Sequence, residues 1–368
     1  MTLAARTTAN LPAGLATLIA GRRRLALLAG GALTLGCALL ALVAIGQGAI
    51  AIPPARVAEI LWARFTGDAA LLDGRDVLVV MNIRVPRVLL GLLVGAGLAV
   101  SGALMQGLFR NPLADPGLVG VSAGAGLAAA ATIVLGDRFL TGTLMKLPFA
   151  VLPFGAFCGG LISTLALYLI ATRQGRTSVA TMLLAGVALG ALAGAMTGLL
   201  AFISDDRQLR DLTFWSMGSL GGASWTKLSA IAPIIIPLLL AMPLLARGLN
   251  GLMLGEAEAY HLGISVQRIK ALAILLVALA VGASVAAAGL IGFVGIVVPH
   301  LIRLAIGPDH RLLLPLSALG GAILLVGADI VARLVVAPAE LPIGIVTAAI
   351  GAPFFLWLLL RRSGPLDV

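Results

Sequence analysis

Residues 84–126 read RVPRVLLGLLVGAGLAVSGALMQGLFRNPLADPGLVGVSAGAG, and they join three unlike pieces. Arg84 and Arg87 flank Pro86 at the start. A glycine-rich apolar stretch of membrane length follows, and a helix that is apolar all round must face lipid or a very large core. The polar break Arg110-Asn111-Pro112-Leu113-Ala114-Asp115-Pro116 then leads into a second, shorter apolar run. Backbone of that kind must reach water, protein or a pore, because lipid cannot satisfy its hydrogen-bonding groups.

The rest of the chain has the same character. Of 368 residues, 60% are hydrophobic and 11% charged, with a mean hydropathy of +1.11. A globular domain carries about a quarter charged residues, so the composition specifies an all-α polytopic membrane protein. The 46 glycines suit close helix packing, in which small residues let backbones approach. The net charge of +10 fits basic loops flanking spans better than nucleic-acid binding, since no basic run exceeds Arg22-Arg23-Arg24. Cys37 and Cys158 lie in apolar runs without a CxxC and read as buried free thiols. The apolar run after Arg24 is about 21 residues, too long for a signal-peptide core of roughly 7–15 residues, and reads as a retained first span.

Taken in order, residues 1–24 form a cytoplasmic arm and 25–362 a single transmembrane domain, with 363–368 as a cytoplasmic tail. Spans are expected at about 25–46, 86–109, 117–135, 149–171, 181–203 and 228–246, with a polar outer loop up to Asn82 and another at 136–147. A long inner connection covers about 247–270. The run 271–306 is long enough for two spans and a tight turn, and spans nine and ten cover about 312–335 and 343–360. That makes ten spans with both ends inside. More than half of the 25 basic residues fall on the inner side, and the outer ones gather at Arg84/Arg87, Arg207/Arg210 and Arg333. A repeat at an offset of 187 residues matches Val94-Gly95-Ala96, Gly102, Pro112 and Gly120 to Val281-Gly282-Ala283, Gly289, Pro299 and Gly307. Five spans separate the copies, as expected of two inverted halves around a midplane path.

Several ordered motifs carry a resemblance. The 84–126 stretch, Leu184-Ala185-Gly186-Val187, Phe214-Trp215-Ser216-Met217-Gly218, Gly292-Phe293-Val294-Gly295 with Pro299-His300, and Ala328-Asp329-Ile330-Val331-Ala332-Arg333 with Glu340-Leu341-Pro342-Ile343-Gly344 together resemble the permease subunits of FecCD-type (BtuC-like) ABC importers. The resemblance runs over roughly residues 54–362. It implies a type II importer fold, a homodimer in the bilayer of the bacterial inner membrane, two copies of a separate ATPase that holds ATP and Mg, and a periplasmic binding protein. The cargo classes of the family are ferric siderophores, heme and cobalamin.

The residues themselves agree with a transporter subunit that has no ATPase site. No GxxxxGK[ST] occurs, so any ATP chemistry belongs to another chain. Asp329 is the main acid near a span end with no intramembrane Lys or Glu opposite it, which disfavours an ion-coupled secondary transporter, the competing class. The inner connection is helix-forming and long enough to need a role. The resemblance makes it the ATPase-coupling segment, on Gly255, Glu256, Ala259, Leu262 and Gly263. Arg84, Arg87 and Arg333 read either as snorkelling anchors or, by resemblance, as docking residues for acidic lobes of the binding protein, for which the guanidinium fork is suited.

The glycines 186, 190, 194 and 198 recur every four residues and serve either close packing or a smooth pathway wall. Resemblance alone places Gly186 and Gly190 on the pathway and Asn111, Ser178, Val179 and Ala180 at its cytoplasmic gate. Arg207 and Arg210, just before Phe214-Trp215, suit either an interfacial belt or capture of an anionic ligand. Heme is the favoured cargo on these arginines. His300 and His310 are not expected to ligate its iron, and no metal site is expected.

Overall fold

The computed structural model describes residues 13–48, 52–67, 74–139 and 148–361. Within them, seven helices are long and apolar enough to cross a membrane, and three shorter apolar helices accompany them. In chain order the helices are α1 (Ala13–Gly46), α2 (Pro54–Thr66), α3 (Arg75–Leu108), α4 (Val121–Phe139), α5 (Pro148–Ala171), α6 (Val179–Phe202), α7 (Asp206–Ser216), α8 (Trp225–Leu252), α9 (Glu256–His261), α10 (Val266–Ala288), α11 (Val294–Ile306), α12 (His310–Leu334) and α13 (Ile343–Arg361). A two-stranded hairpin, β1 (Thr172–Arg173) and β2 (Arg176–Thr177), joins α5 to α6. Its two turn residues, Gln174 and Gly175, have φ of 50° and 72°, the combination a two-residue type I′ turn needs.

Burial separates centre from periphery. The apolar windows of α3 and α10 are 83% and 78% buried, whereas those of α1 and α6 are 11% buried. Glycine makes the centre possible. A Cβ on Gly95 would overlap the Gly321 carbonyl of α12, and one on Gly102 would overlap the Gly295 carbonyl of α11. Backbone therefore meets backbone at both points, where van der Waals packing rather than a hydrophobic difference drives association.

Three expectations change. The outer polar loop up to Asn82 is instead helix from Arg75, with a π-wound turn at Val80–Arg84. In that turn Val85 donates to the Val80 carbonyl, which frees the Met81 carbonyl to accept the Trp225 indole N–H at 2.8 Å. Pro86, which has no N–H, follows at once, so the irregular winding sits where a regular ladder is already interrupted. The inner connection shrinks to the residues between α8 and α10, because the buried Leu249, Gly251 and Leu252 carry α8 on to Leu252 and α10 already starts at Val266. The helix α1 also begins at Ala13, inside the stretch read as an arm. Residues 1–12, 140–147 and 362–368, which hold half of the expected arm, most of an outer loop and the tail, lie outside the described residues.

The tight turn within 271–306 falls at residues 289–293, between α10 and α11. Gly289 (φ 74°) and Phe293 (φ 68°) bracket it. The 187-residue offset pairs unlike positions here: Gly102 is inside α3 whereas Gly289 ends α10, and Pro112 lies in the break whereas Pro299 lies inside α11.

Stability measurements on detergent-solubilised protein should separate the glycines. Gly102→Ala is expected to lower the melting midpoint, at a cost of about 1–3 kcal/mol for overpacking against backbone. Gly190→Ala, whose Cβ meets nothing within 4 Å, should leave the midpoint unchanged or raise it. Equal effects at the two positions would contradict the close approach of α3 to α11.

Candidate functional site

Two polar clusters stand at opposite ends of the helices. The first gathers the arginines of α3 and α12. Arg84 Nη1 donates to the carbonyls of Ile45 and Gly46 at 2.8 and 2.7 Å. Arg333 Nη1 donates to the Gln47 carbonyl at 2.8 Å, and its Nη2 to that of Ala44 at 3.2 Å. Both therefore cap the C-terminus of α1, where the last carbonyls lack intrahelical donors and favour cations. Arg87 binds Asp329 through Nε and Nη2, the latter at 2.8 Å, and Glu340 through Nη1 at 2.8 Å and Nη2 at 3.0 Å. Asp329 also receives Arg333 Nε at 3.1 Å.

All three arginines are buried, between 5% and 8% exposed. Docking by free guanidinium groups at the outer surface is thus not what the structure presents: internal carbonyls and carboxylates already occupy their donors. Asp329, which has no intramembrane Lys or Glu opposite it in the sequence, is paired with two arginines. The pairing with Arg333, four residues on along the same helix, is visible in the sequence, whereas Arg87 and Asp329 stand 242 residues apart. Glu340 is the accessible member, its side chain 43% exposed, and the hydrogen bond from Arg87 holds its carboxyl below the usual carboxylate range.

The second cluster is at the inner end. Lys270 Nζ donates to Glu256 Oε1 at 2.6 Å and to the Thr177 carbonyl at 2.9 Å. Gln267 Oε1 accepts the Thr177 N–H at 3.0 Å. Of the expected coupling residues, Ala259 is fully buried, while Glu256 at the start of α9 and Leu262 just after its end are exposed. Gly255 (φ 126°) and Gly263 (φ 77°) bound that helix in backbone conformations that L side chains rarely adopt. A cavity of about 630 Å³ opens beside it, lined by Arg176, Glu256, Tyr260, His261 and Gln267 among others.

The expected gate residues divide between two places. Ser178 N-caps α6, its hydroxyl accepting the Thr181 N–H, so Val179 and Ala180 begin that helix. Asn111 sits in the break after α3, where Arg110 has a φ of 49° and the Asn111 Oδ1 accepts the Leu113 N–H at 2.9 Å. Along α6, Gly190, Gly194 and Gly198 have nothing within 4 Å of a built Cβ, so this stripe packs against no other part of the described chain. Arg207 and Arg210 lie exposed on α7, a helix started by an Asp205–Gln208 capping box. Arg207 has only a long contact to Asp211, 4.0 Å, and Phe214 is 60% exposed beside them.

Both histidines are buried. His300 stacks edge-on against Phe354, and the His310 Nδ1 lies 2.9 Å from Asn250 Oδ1. Sequence reasoning missed Lys270 and Gln267, although a lysine opening a long apolar run was the available signal.

Known proteins supply the context. The profile of the FecCD transport family matches residues 33–361. The hemin transport system permease HmuU of Yersinia pestis is 49% identical over 311 residues, covering 82% of this chain and 87% of that protein. The vitamin B12 import system permease BtuC of Salmonella typhi is 48% identical over 292 residues, covering 79% and 86%. A solved inward-facing structure of a putative metal-chelate type ABC transporter superposes with a TM-score of 0.75 at 33% identity, over 90% of this chain and 98% of that one.

Removing one member of the buried charge network leaves the others uncompensated. Asp329→Asn should cost about 3–5 kcal/mol, read as a large fall in thermal midpoint in detergent, whereas Arg207→Gln on exposed α7 should cost under about 1 kcal/mol. Glu340, with its lowered folded pKa, contributes stability above its ordinary value of 4.5 that is lost as pH falls through the folded value. Glu340→Gln should therefore be slightly less stable than the unsubstituted protein at pH 7, and the difference should close in acid. A difference that widens in acid would contradict the pairing.

Proposed function

The chain belongs to the FecCD transport family of ABC-importer permeases, and on that premise we propose that it carries heme across the bacterial inner membrane as a homodimer. Two copies of a separate ATPase, holding ATP and Mg, act on the inner connection, and a periplasmic binding protein delivers cargo. The observation that carries the heme reading is the exposed face of α7, where Arg207 and Arg210 stand beside Phe214. A flat aromatic macrocycle with two carboxylates suits that combination of cations and ring. The 49% identity to a hemin permease supports the same cargo.

Cobalamin is the second reading, favoured by relatives of 46–48% identity named for it. A ferric siderophore would use the same path. An ion-coupled mechanism finds less support, because Asp329 is held between two guanidinium groups rather than presented to an ion path. In this complex, docking through Arg84, Arg87 and Arg333 requires acidic groups of the binding protein to displace internal partners, of which Glu340 is the accessible one.

The test is uptake into proteoliposomes containing this chain, its ATPase and its binding protein, with ATP inside and heme, a ferric siderophore or cobalamin outside. Heme is expected to accumulate, and Arg207→Gln with Arg210→Gln should slow it several-fold at limiting cargo. Accumulation of cobalamin in its place would discard the cargo and keep the permease. Accumulation without ATP would discard the importer mechanism.

A further inference from the structure

The inner connection is fastened to the start of α6 through one buried ammonium group. Lys270, in the second turn of α10, is 1% exposed and among the largest fully buried side chains described. Its two acceptors belong to different elements: Glu256 opens α9, and Thr177 ends β2. Gln267, one turn earlier on α10, takes the N–H of the same Thr177. Both peptide groups of Thr177 are thus held by α10, and the next residue, Ser178, caps α6. The Ser178 N–H in turn donates to the Ala171 carbonyl at 3.0 Å, which closes the hairpin onto α5.

Stability alone does not explain a charge here. Burying an ammonium group costs several kcal/mol before its partners offset it, and apolar replacements of buried ion pairs are often neutral or stabilising. What the charge supplies is direction. Three hydrogen bonds of fixed geometry join α9, α10 and β2, and Glu256, 45% exposed in its side chain, puts one end of the linkage at the protein surface. A displacement applied to α9 cannot leave β2 behind without breaking a 2.6 Å contact to an ammonium group that is itself 1% exposed.

We propose that Lys270 is a positioning residue for transport: it ties the ATPase-facing helix α9 to the β1–β2 hairpin, so that movement of the inner connection is delivered to Ser178–Ala180 at the start of α6. This rests on the reading of the chain as an importer permease. A helix held only by its own chain ends would reach the α6 terminus only by way of α10, whose Gln267 also holds Thr177. The Lys270 linkage joins α9 to Thr177 through a single side chain.

The experiment uses the full assembly in proteoliposomes and compares heme, with cobalamin in parallel, accumulated per ATP hydrolysed. Lys270→Met and Glu256→Gln are each expected to lower that ratio about tenfold. Spin labels at Ala257→Cys and Gln174→Cys, in a background without Cys37 and Cys158, supply a second readout. Their separation should stay fixed between nucleotide states in the otherwise unsubstituted protein and become nucleotide-dependent once Lys270 is replaced. An unchanged ratio and an unchanged separation in Lys270→Met overturn the proposal. So does a parallel fall of uptake and hydrolysis, which marks a merely structural side chain. If Lys270→Met does not assemble, Glu256→Gln decides by the same readouts, since it removes only the charge of the exposed partner. Absence of ATP-driven uptake in the unsubstituted assembly sinks the permease reading and this one with it. Normal uptake with unaltered ratios in the variants sinks this one alone.

Discussion

Every backbone N–H and C=O that leaves a regular helix inside a bilayer must find a partner within the protein. The irregular segments of this chain answer to that constraint together. Ser219 donates to the Ala288 carbonyl at 2.7 Å, Ile343 to that of Gly218 at 3.0 Å, and Gly344 to that of Met217 at 2.9 Å. Three breaks, far apart in sequence, thereby become one hydrogen-bonded junction. Glycine permits the approach: a Cβ on Gly218, Gly289 or Gly344 would meet backbone of another break. The junction thus joins the end of α7, the end of α10 and the start of α13.

Charges follow the same rule at greater cost, because an unpaired ion is worse in low dielectric than an unpaired amide. At one end, carbonyls of α1 and two carboxylates absorb three guanidinium groups. At the other, a carboxylate and a carbonyl absorb one ammonium. Each cluster joins elements that the chain does not make neighbours. Arg87 spans from α3 to α12 and on to Glu340, and Lys270 spans from α10 to α9 and β2. Polar groups thus do in this molecule what hydrophobic contact cannot do between helices in lipid: they select a particular neighbour and a particular register.

The membrane class, the order of spans and the break after α3 could all be read from the sequence, because about twenty apolar residues in a row admit few other structures. The abundance of glycine already pointed to close packing, though not to Gly95 and Gly102 as the places where it occurs. The start of α3 was hidden, since Arg75, Asp76 and Asn82 look like loop residues until the helix supplies partners for their backbone. Arg333 stands near the end of α12 and meets Asp329 one turn away, but Arg84 and Arg87 lie inside α3, and their burial depends on Asp329, Glu340 and the end of α1, which no local pattern brings near them. Lys270 was counted as one more inner basic residue for the same reason. Topology can be read from composition along the chain, whereas the pairing of a charge is a property of the fold.

The burial of the outer arginines also has an electrostatic consequence. Arg84, Arg87 and Arg333 face Asp329 and Glu340, Asp76 acts on Arg84, and the end of α1 contributes roughly half a negative charge more. The cations of the cluster are thereby balanced from within, so its field largely cancels before it reaches water. Arg207 and Arg210 are not balanced in this way, for they lie exposed on α7. Their field extends into solution over about one Debye length, roughly 8 Å at physiological salt. Two groups of arginine thus divide the work: the buried one holds helices in register, and the exposed one is felt by a passing anion and fades as ionic strength rises.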